Sequence, residues 1–169
     1  MRKELKDFYQ KVYGLSIKDY DYTYRIIKNI IEDRLAMTMQ KIIKLGKKAD
    51  QDHISDVAYY DFLECEYLWH FCLIRLQGIF EGILKQEFFP NKELIGLKSK
   101  VKEIERKGFI IDKYKIELIE WGKVRNKLVH EPPEQYRPGT IIESDVKKYL
   151  KFIKTLTKII FNQKTKLGL

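Results

Sequence analysis

Glycine and proline are scarce in this chain, nine and four among 169 residues. A β-sandwich needs turn residues every ten positions or so, and this supply argues against one. Cysteine is scarcer still, with only Cys65 and Cys72. They lie seven residues apart in one helical stretch, which sets their α-carbons about 10 Å from each other, beyond disulfide reach. With no usable pair, a reducing cytoplasm is the expected compartment. No apolar run approaches the roughly 18 residues of a membrane span. The opening MRKELKDFYQ lacks the apolar centre of a secretory signal. There is no GxxxxGK(S/T) loop and no GxGxxG fingerprint, so a conventional nucleotide-binding loop is not expected. Sustained period-two alternation, internal repeats and low-complexity tracts are all missing.

Acid is missing locally. Beyond Asp145 the chain has seven lysines and no Asp or Glu. Residues 1–91 balance 14 basic against 14 acidic side chains, whereas residues 92–169 hold 19 against 10. The whole excess of +9 therefore belongs to the C-terminal half. Such asymmetry points to a polyanion as partner, although a lysine-rich solvated face is the plainer reading of charge alone.

What is present reads as helices with short breaks. At 44% hydrophobic the chain can bury a core despite 34% charge. Leu5, Phe8, Tyr9 and Val12 share one side of residues 3–13, which Gly14 ends. Asp19 or Asp21 is placed to cap a second helix, with Tyr24, Ile27, Ile30, Ile31, Leu35, Met39 and Ile42 inward as far as Gly46. After a polar loop at 46–53, Ser55 or Asp56 opens a long, mostly apolar segment that Pro90 stops. A short amphipathic helix over 93–107 closes at Gly108, and Asp112 introduces another over 113–130. Pro132 and Pro133 forbid its continuation. The last helix starts near Glu143 or Ser144 and buries Val146, Tyr149, Leu150, Ile153, Thr157, Ile160 and Phe161. The expected architecture is all-α, an up-and-down bundle of about five helices in a single domain over 1–169. Residues 1–17 form an N-terminal helical extension, and 132–142 a turn-rich loop before the C-terminal helix.

One constellation carries chemistry. Helix 113–130 ends in Arg125-Asn126-Lys127-Leu128-Val129-His130. Asn126 and His130 are four apart and share a face, and the long side chain of Arg125 reaches the same side. His can move a proton near neutral pH. Arg offers a permanent planar charge matched to phosphate oxygens. The same spacing arises on ordinary helices, with His130 capping the last carbonyls and Arg125 in a surface ion pair.

The run VRNKLVHEP resembles the signature of the HEPN superfamily (higher eukaryotes and prokaryotes nucleotide-binding): Arg, a polar residue, then His after four to six residues, late in a helical bundle. The resemblance implies a metal-independent endoribonuclease with no cofactor, working as a homodimer with a composite active site. His130 would be general acid or base for attack of a ribose 2′-hydroxyl on the adjacent phosphate. Arg125 would stabilise the charge building there, and Asn126 would position His130 or the phosphate. The products would be a 2′,3′-cyclic phosphate and a 5′-hydroxyl, and the substrate RNA, because DNA lacks the 2′-hydroxyl.

The resemblance also implies an acidic or polar residue on an earlier helix in support of the Arg; Glu81, in IFEGIL, is the candidate, since a carboxylate among apolar neighbours is costly to bury unpaired, with a solvated Glu81 as the alternative. Lys123, Lys127, Lys147, Lys151, Lys154 and Lys158 are the candidate contacts to the RNA backbone. Many members of the superfamily are toxins or phage-defence effectors, so an antitoxin protein is a candidate partner. In one toxin subgroup a tyrosine two residues after the His is modified by the antitoxin; here that position is Pro132, and the next tyrosine is Tyr136. Two other readings remain: a HEPN-like module that binds RNA or a nucleotide without cutting, and a helical protein-interaction domain. Glu66 and His70 share a helical face, but no second ligand pair accompanies them, so no metal is expected. Tyr59, Tyr60, Phe62, Tyr67, Trp69 and Phe71 suit packing or a dimer interface better than base stacking.

Overall fold

The computed structural model describes residues 14–46, 50–130 and 140–168. The expected helix at 3–13, Pro132, Pro133, Tyr136 and most of the turn-rich loop lie outside the described residues. The described chain is an all-α bundle of five helices: α1 (Lys18–Leu45), α2 (Gln51–Phe88), α3 (Gly96–Arg106), α4 (Asp112–His130) and α5 (Glu143–Lys166). None of these helices is long and apolar enough to cross a membrane.

The 38-residue α2 is the hub. It packs against α1, α3, α4 and α5 in turn, while α3 rests on α4 and α5 touches α1. The wide apolar surface of its second half explains this role, since such a surface must be covered by several neighbours. Cys72, Leu73, Leu76, Ile79, Phe80, Ile83 and Leu84 are fully enclosed. They meet Leu97, Val101 and Ile104 of α3, Leu118 of α4, and Val146, Tyr149, Ile153 and Leu156 of α5 in one core. The Tyr20 and Thr157 hydroxyls hydrogen-bond at 3.0 Å inside it. On α5 the expected stripe is buried at Val146, Tyr149, Ile153, Thr157 and Ile160, with Leu150 and Phe161 partly covered. Phe152 and Leu156 complete it.

Two expectations need correction. The cap of α2 is Asp50, whose Oδ1 accepts the His53 amide at 2.8 Å, so the loop ends before Gln51. The Ser55 hydroxyl instead donates to the Gln51 carbonyl within the helix. On α1 only Tyr20, Ile27 and Ile31 are buried, whereas Ile30, Leu35 and Met39 are exposed. Among the described helices α2 is the main neighbour of α1, and one neighbour covers too narrow a stripe. The Arg34–Glu64 ion pair and the Thr38–Asp61 hydrogen bond (2.8 Å) tie the distal half of the hairpin together.

Candidate phosphate-binding cleft

A cleft of about 610 Å³ opens where α2, α3 and α4 converge. Three sets of residues line it: Gln77 and Glu81 from α2, the start of α3 at Gly96, Leu97 and Lys98, and a face of α4. The α4 face comprises Ile119, Gly122, Lys123, Arg125, Asn126 and His130. Leu118 and Gly122 are buried against the core, so Asn126 and His130, continuing the same four-residue spacing, emerge at the cleft rim. Both are exposed, and Arg125 is half-buried.

Gly122 sets how closely α3 approaches. A Cβ there would lie 2.8 Å from Leu97 Cδ2 and 4.0 Å from Gln77 Nε2. Without one, Leu97 packs directly against the α4 backbone and brings the first turn of α3 beside the Arg-Asn-His turn. Arg125 Nη1 donates to Asn126 Oδ1 at 3.1 Å. This bond orients the guanidinium, and among the described residues its other N–H groups have no hydrogen-bond partner.

Glu81 does line the cleft, but its partner is not Arg125. Lys100 Nζ donates to Glu81 Oε2 at 2.5 Å, and Gln77 Nε2 donates to Oε1 at 3.0 Å. Lys100 comes from the inner face of α3 and reaches a carboxylate that has little solvent of its own. With Glu81 neutralised in this way, Lys98, Lys123 and Arg125 give the cleft a positive balance. Lys123 also forms an exposed ion pair with Glu120 at 2.6 Å.

Tyr149 of α5 is enclosed in the core, its ring 4.8 Å from that of Trp121 of α4. Its hydroxyl is wholly buried, and burial pushes its pKa well above the ordinary value. The Tyr20 hydroxyl and the charge of Glu81 add to that rise, and Arg125 opposes it.

The lysines of α5 stand elsewhere. Lys147 pairs with Glu143 at 2.8 Å, and Lys154 reaches Asp21 of α1 at 2.6 Å. Neither they nor Lys151, Lys158 or Lys127 line the cleft. The basic residues beside the Arg-Asn-His turn come instead from α3 and α4.

Sequence reasoning missed Gln77, Lys98 and Lys100. The visible signal was polar residues at 77 and 81, one turn apart on an otherwise apolar helix, which forecasts an inward-facing polar site.

His70 Nε2 lies 3.6 Å from Glu66 Oε1, and burial lowers its pKa, with the charge of Glu66 opposing. No group of three or more His, Cys, Asp or Glu side chains forms a metal-like cluster among the described residues. Of the aromatic residues at 59–71, Trp69 is buried and stacks on Tyr24 at 6.0 Å. Tyr59, Tyr60, Phe62, Tyr67 and Phe71 remain exposed. No family model, curated protein or solved structure matches the chain.

Proposed function

We propose that the protein is a metal-independent endoribonuclease of the HEPN type. The observation that carries this reading is the convergence of Arg125, Asn126 and His130 on one positively balanced cleft. Each residue then has a role that its chemistry suits. The Arg125 guanidinium, held by Asn126, stabilises the charge that builds on the phosphate as the ribose 2′-oxygen attacks. The imidazole of His130 transfers the proton. One cleft contains one histidine, whereas the reaction needs a base for the 2′-hydroxyl and an acid for the departing 5′-oxygen. A second copy of the chain facing the first supplies both, so the working unit is a homodimer with RNA across the two motifs. Toxin or defence activity, with a protein antitoxin as partner, follows from the same reading.

The test is to incubate purified protein with total RNA in EDTA, beside a His130→Ala variant. The expected result is metal-independent cleavage that yields 2′,3′-cyclic phosphate ends and disappears with His130. Equal cleavage by both proteins, or dependence on added metal, would refute the proposal. RNA retention with a steep salt dependence and no cyclic phosphate would identify a binding module instead.

A further inference from the structure

Away from the phosphate cleft, a groove of about 540 Å³ runs between the distal half of α1 and the first half of α2. The entry to α5 closes the end beside Lys28, where Glu143 stands 3.5 Å from its Nζ. On α2 the lining residues Ala58, Phe62, Cys65 and Trp69 run at spacings of four, three and four, the period of a coiled-coil seam. Ile31, Leu35, Thr38 and Ile42 repeat that spacing on α1. Ile31, Cys65 and Trp69 form a buried floor, while Leu35, Met39 and Phe62 stay about half exposed along the edges. From Ile31 to Ile42 the seam extends about 16 Å, or about three turns of helix.

The charge around this seam runs against that of the whole molecule. The chain carries a net +9, yet the groove is lined by Lys28 against Glu32, Asp61, Glu66 and Glu143. Asp61 accepts from Thr38 at 2.8 Å and lies 3.8 Å from Arg34. Glu143 is held by Tyr24 and Lys147. Lys28 stands between Glu32 and Glu143, 3.5 Å from each, and so answers one charge of the two. Glu66 makes no hydrogen bond among the described residues, although only 13% of its side chain is exposed. Its ion-pair contact is His70 Nε2 at 3.6 Å, and burial lowers the pKa of that imidazole, so it is neutral at pH 7. A carboxylate so covered is stabilised by a cation brought to it.

A second copy of the chain is a poor source of that cation. Packing this groove on itself about a two-fold axis would set Glu32 and Glu66 against the same acids. A seam of helical period edged by acid is matched instead by a helix with one apolar face and basic flanks.

We infer that the α1–α2 groove docks a basic amphipathic helix of a partner protein. The apolar side chains of that helix, at i, i+3 or i+4 and i+7, fill the seam, and its lysines or arginines meet Glu32 and Glu66. The inference does not rest on the ribonuclease reading, since the groove shares no residue with the phosphate cleft.

The test uses two fluorescein-labelled peptides of about 14 residues, roughly four helical turns. Both carry leucine at alternating spacings of three and four; one has lysine and the other glutamate at the remaining positions. Anisotropy titrations of the full-length protein measure affinity, and 15N amide spectra locate the site. The lysine peptide is expected to shift amides of residues 31–42 and 58–69 and to bind at least tenfold tighter than the glutamate peptide. The net charge of the chain alone would give the opposite order. Glu32→Lys combined with Glu66→Gln should weaken the lysine peptide at least tenfold, while circular dichroism shows an intact fold. Met39→Glu, at an exposed position on the seam, should weaken it by a similar factor through the apolar contact. Unmoved groove amides, tighter binding of the glutamate peptide, or full affinity in either variant would overturn the inference. So would hexylammonium chloride binding as tightly as the peptide, which marks a site for small organic cations. A dimer in sedimentation equilibrium that Met39→Glu dissociates would assign the groove to a second copy and overturn it as well.

Discussion

Lys100 Nζ sits 2.5 Å from Glu81 Oε2, tying α3 to α2 beneath the cleft. Only 11% and 18% of the two side chains are exposed. Lys100→Met removes the cation and leaves the carboxylate with the Gln77 amide alone. A stability loss of about 2 kcal/mol is expected, below the range for a fully buried pair because both groups keep some solvent. Glu81→Gln combined with Lys100→Met removes both charges and should cost less than Lys100→Met by itself. Urea unfolding of wild type, both single variants and the double variant checks this. Strictly additive losses would show that the two residues act independently.

Gly122 and Leu97 set the width of the cleft. A methyl at 122 meets only the end of the Leu97 side chain, 2.8 Å away. That side chain can rotate, and alanine is about 1 kcal/mol better than glycine inside a helix. Gly122→Ala should therefore change stability by less than about 1 kcal/mol. Gly122→Leu cannot be absorbed so cheaply and should cost about 1–3 kcal/mol by overpacking. Adding Leu97→Ala should recover part of that loss, because it empties the space the new side chain needs. Denaturation midpoints decide the point, and no recovery in the double variant would mean that the two sites do not touch.

The helical class and most helix ends could be read from local chemistry. Gly46, Pro90 and Gly108 stop helices where the structure stops them, and the apolar spacing of α5 forecast most of its buried face. Failures occurred where a partner distant in sequence decides. Ile30, Leu35 and Met39 carry helical spacing, yet among the described residues they stay exposed on the distal half of α1. The partner of Glu81 is 19 residues away on another helix, and it arrives there because Leu97 docks against Gly122. No periodicity encodes that approach. The Arg125–His130 turn could be recognised because its spacing is local, whereas the other wall of its cleft could not.

Glu143 makes stability depend on pH. It accepts from Lys147 at 2.8 Å and from the Tyr24 hydroxyl at 2.6 Å, so it joins the start of α5 to α1. Lys147 first, then Tyr24, hold its carboxyl down to about 2 from the ordinary 4.5. A carboxyl whose folded pKa is depressed stabilises the fold above its unfolded pKa, and the gain is lost as pH falls through the folded value. Wild type should therefore exceed Glu143→Gln most clearly above pH 5. The gap should close between about 4.5 and 2. Because the side chain is 36% exposed, solvent screening should keep the gap below about 1 kcal/mol. Thermal melts of both proteins across that range test the sign, and a gap that widens on acidification would reverse it.

Arg125 offers the sharpest separation of charge from geometry. One N–H of its guanidinium is spent on Asn126 Oδ1 at 3.1 Å, which fixes the plane of the group. Lysine keeps the charge but loses the fork and cannot hold the same orientation. In Arg125→Lys, affinity for RNA should fall less than about threefold, because the number of cations meeting phosphate is unchanged. On the ribonuclease proposal, cleavage under single-turnover conditions should fall about 10²-fold, as expected when one oriented donor to a developing anion is lost. The fold should be unaffected, since the residue lies outside the core. Filter binding and single-turnover assays on the same preparation separate the two effects. An Arg125→Lys protein that cuts RNA as fast as wild type would show that charge alone suffices, and the planar fork would have no part in the reaction.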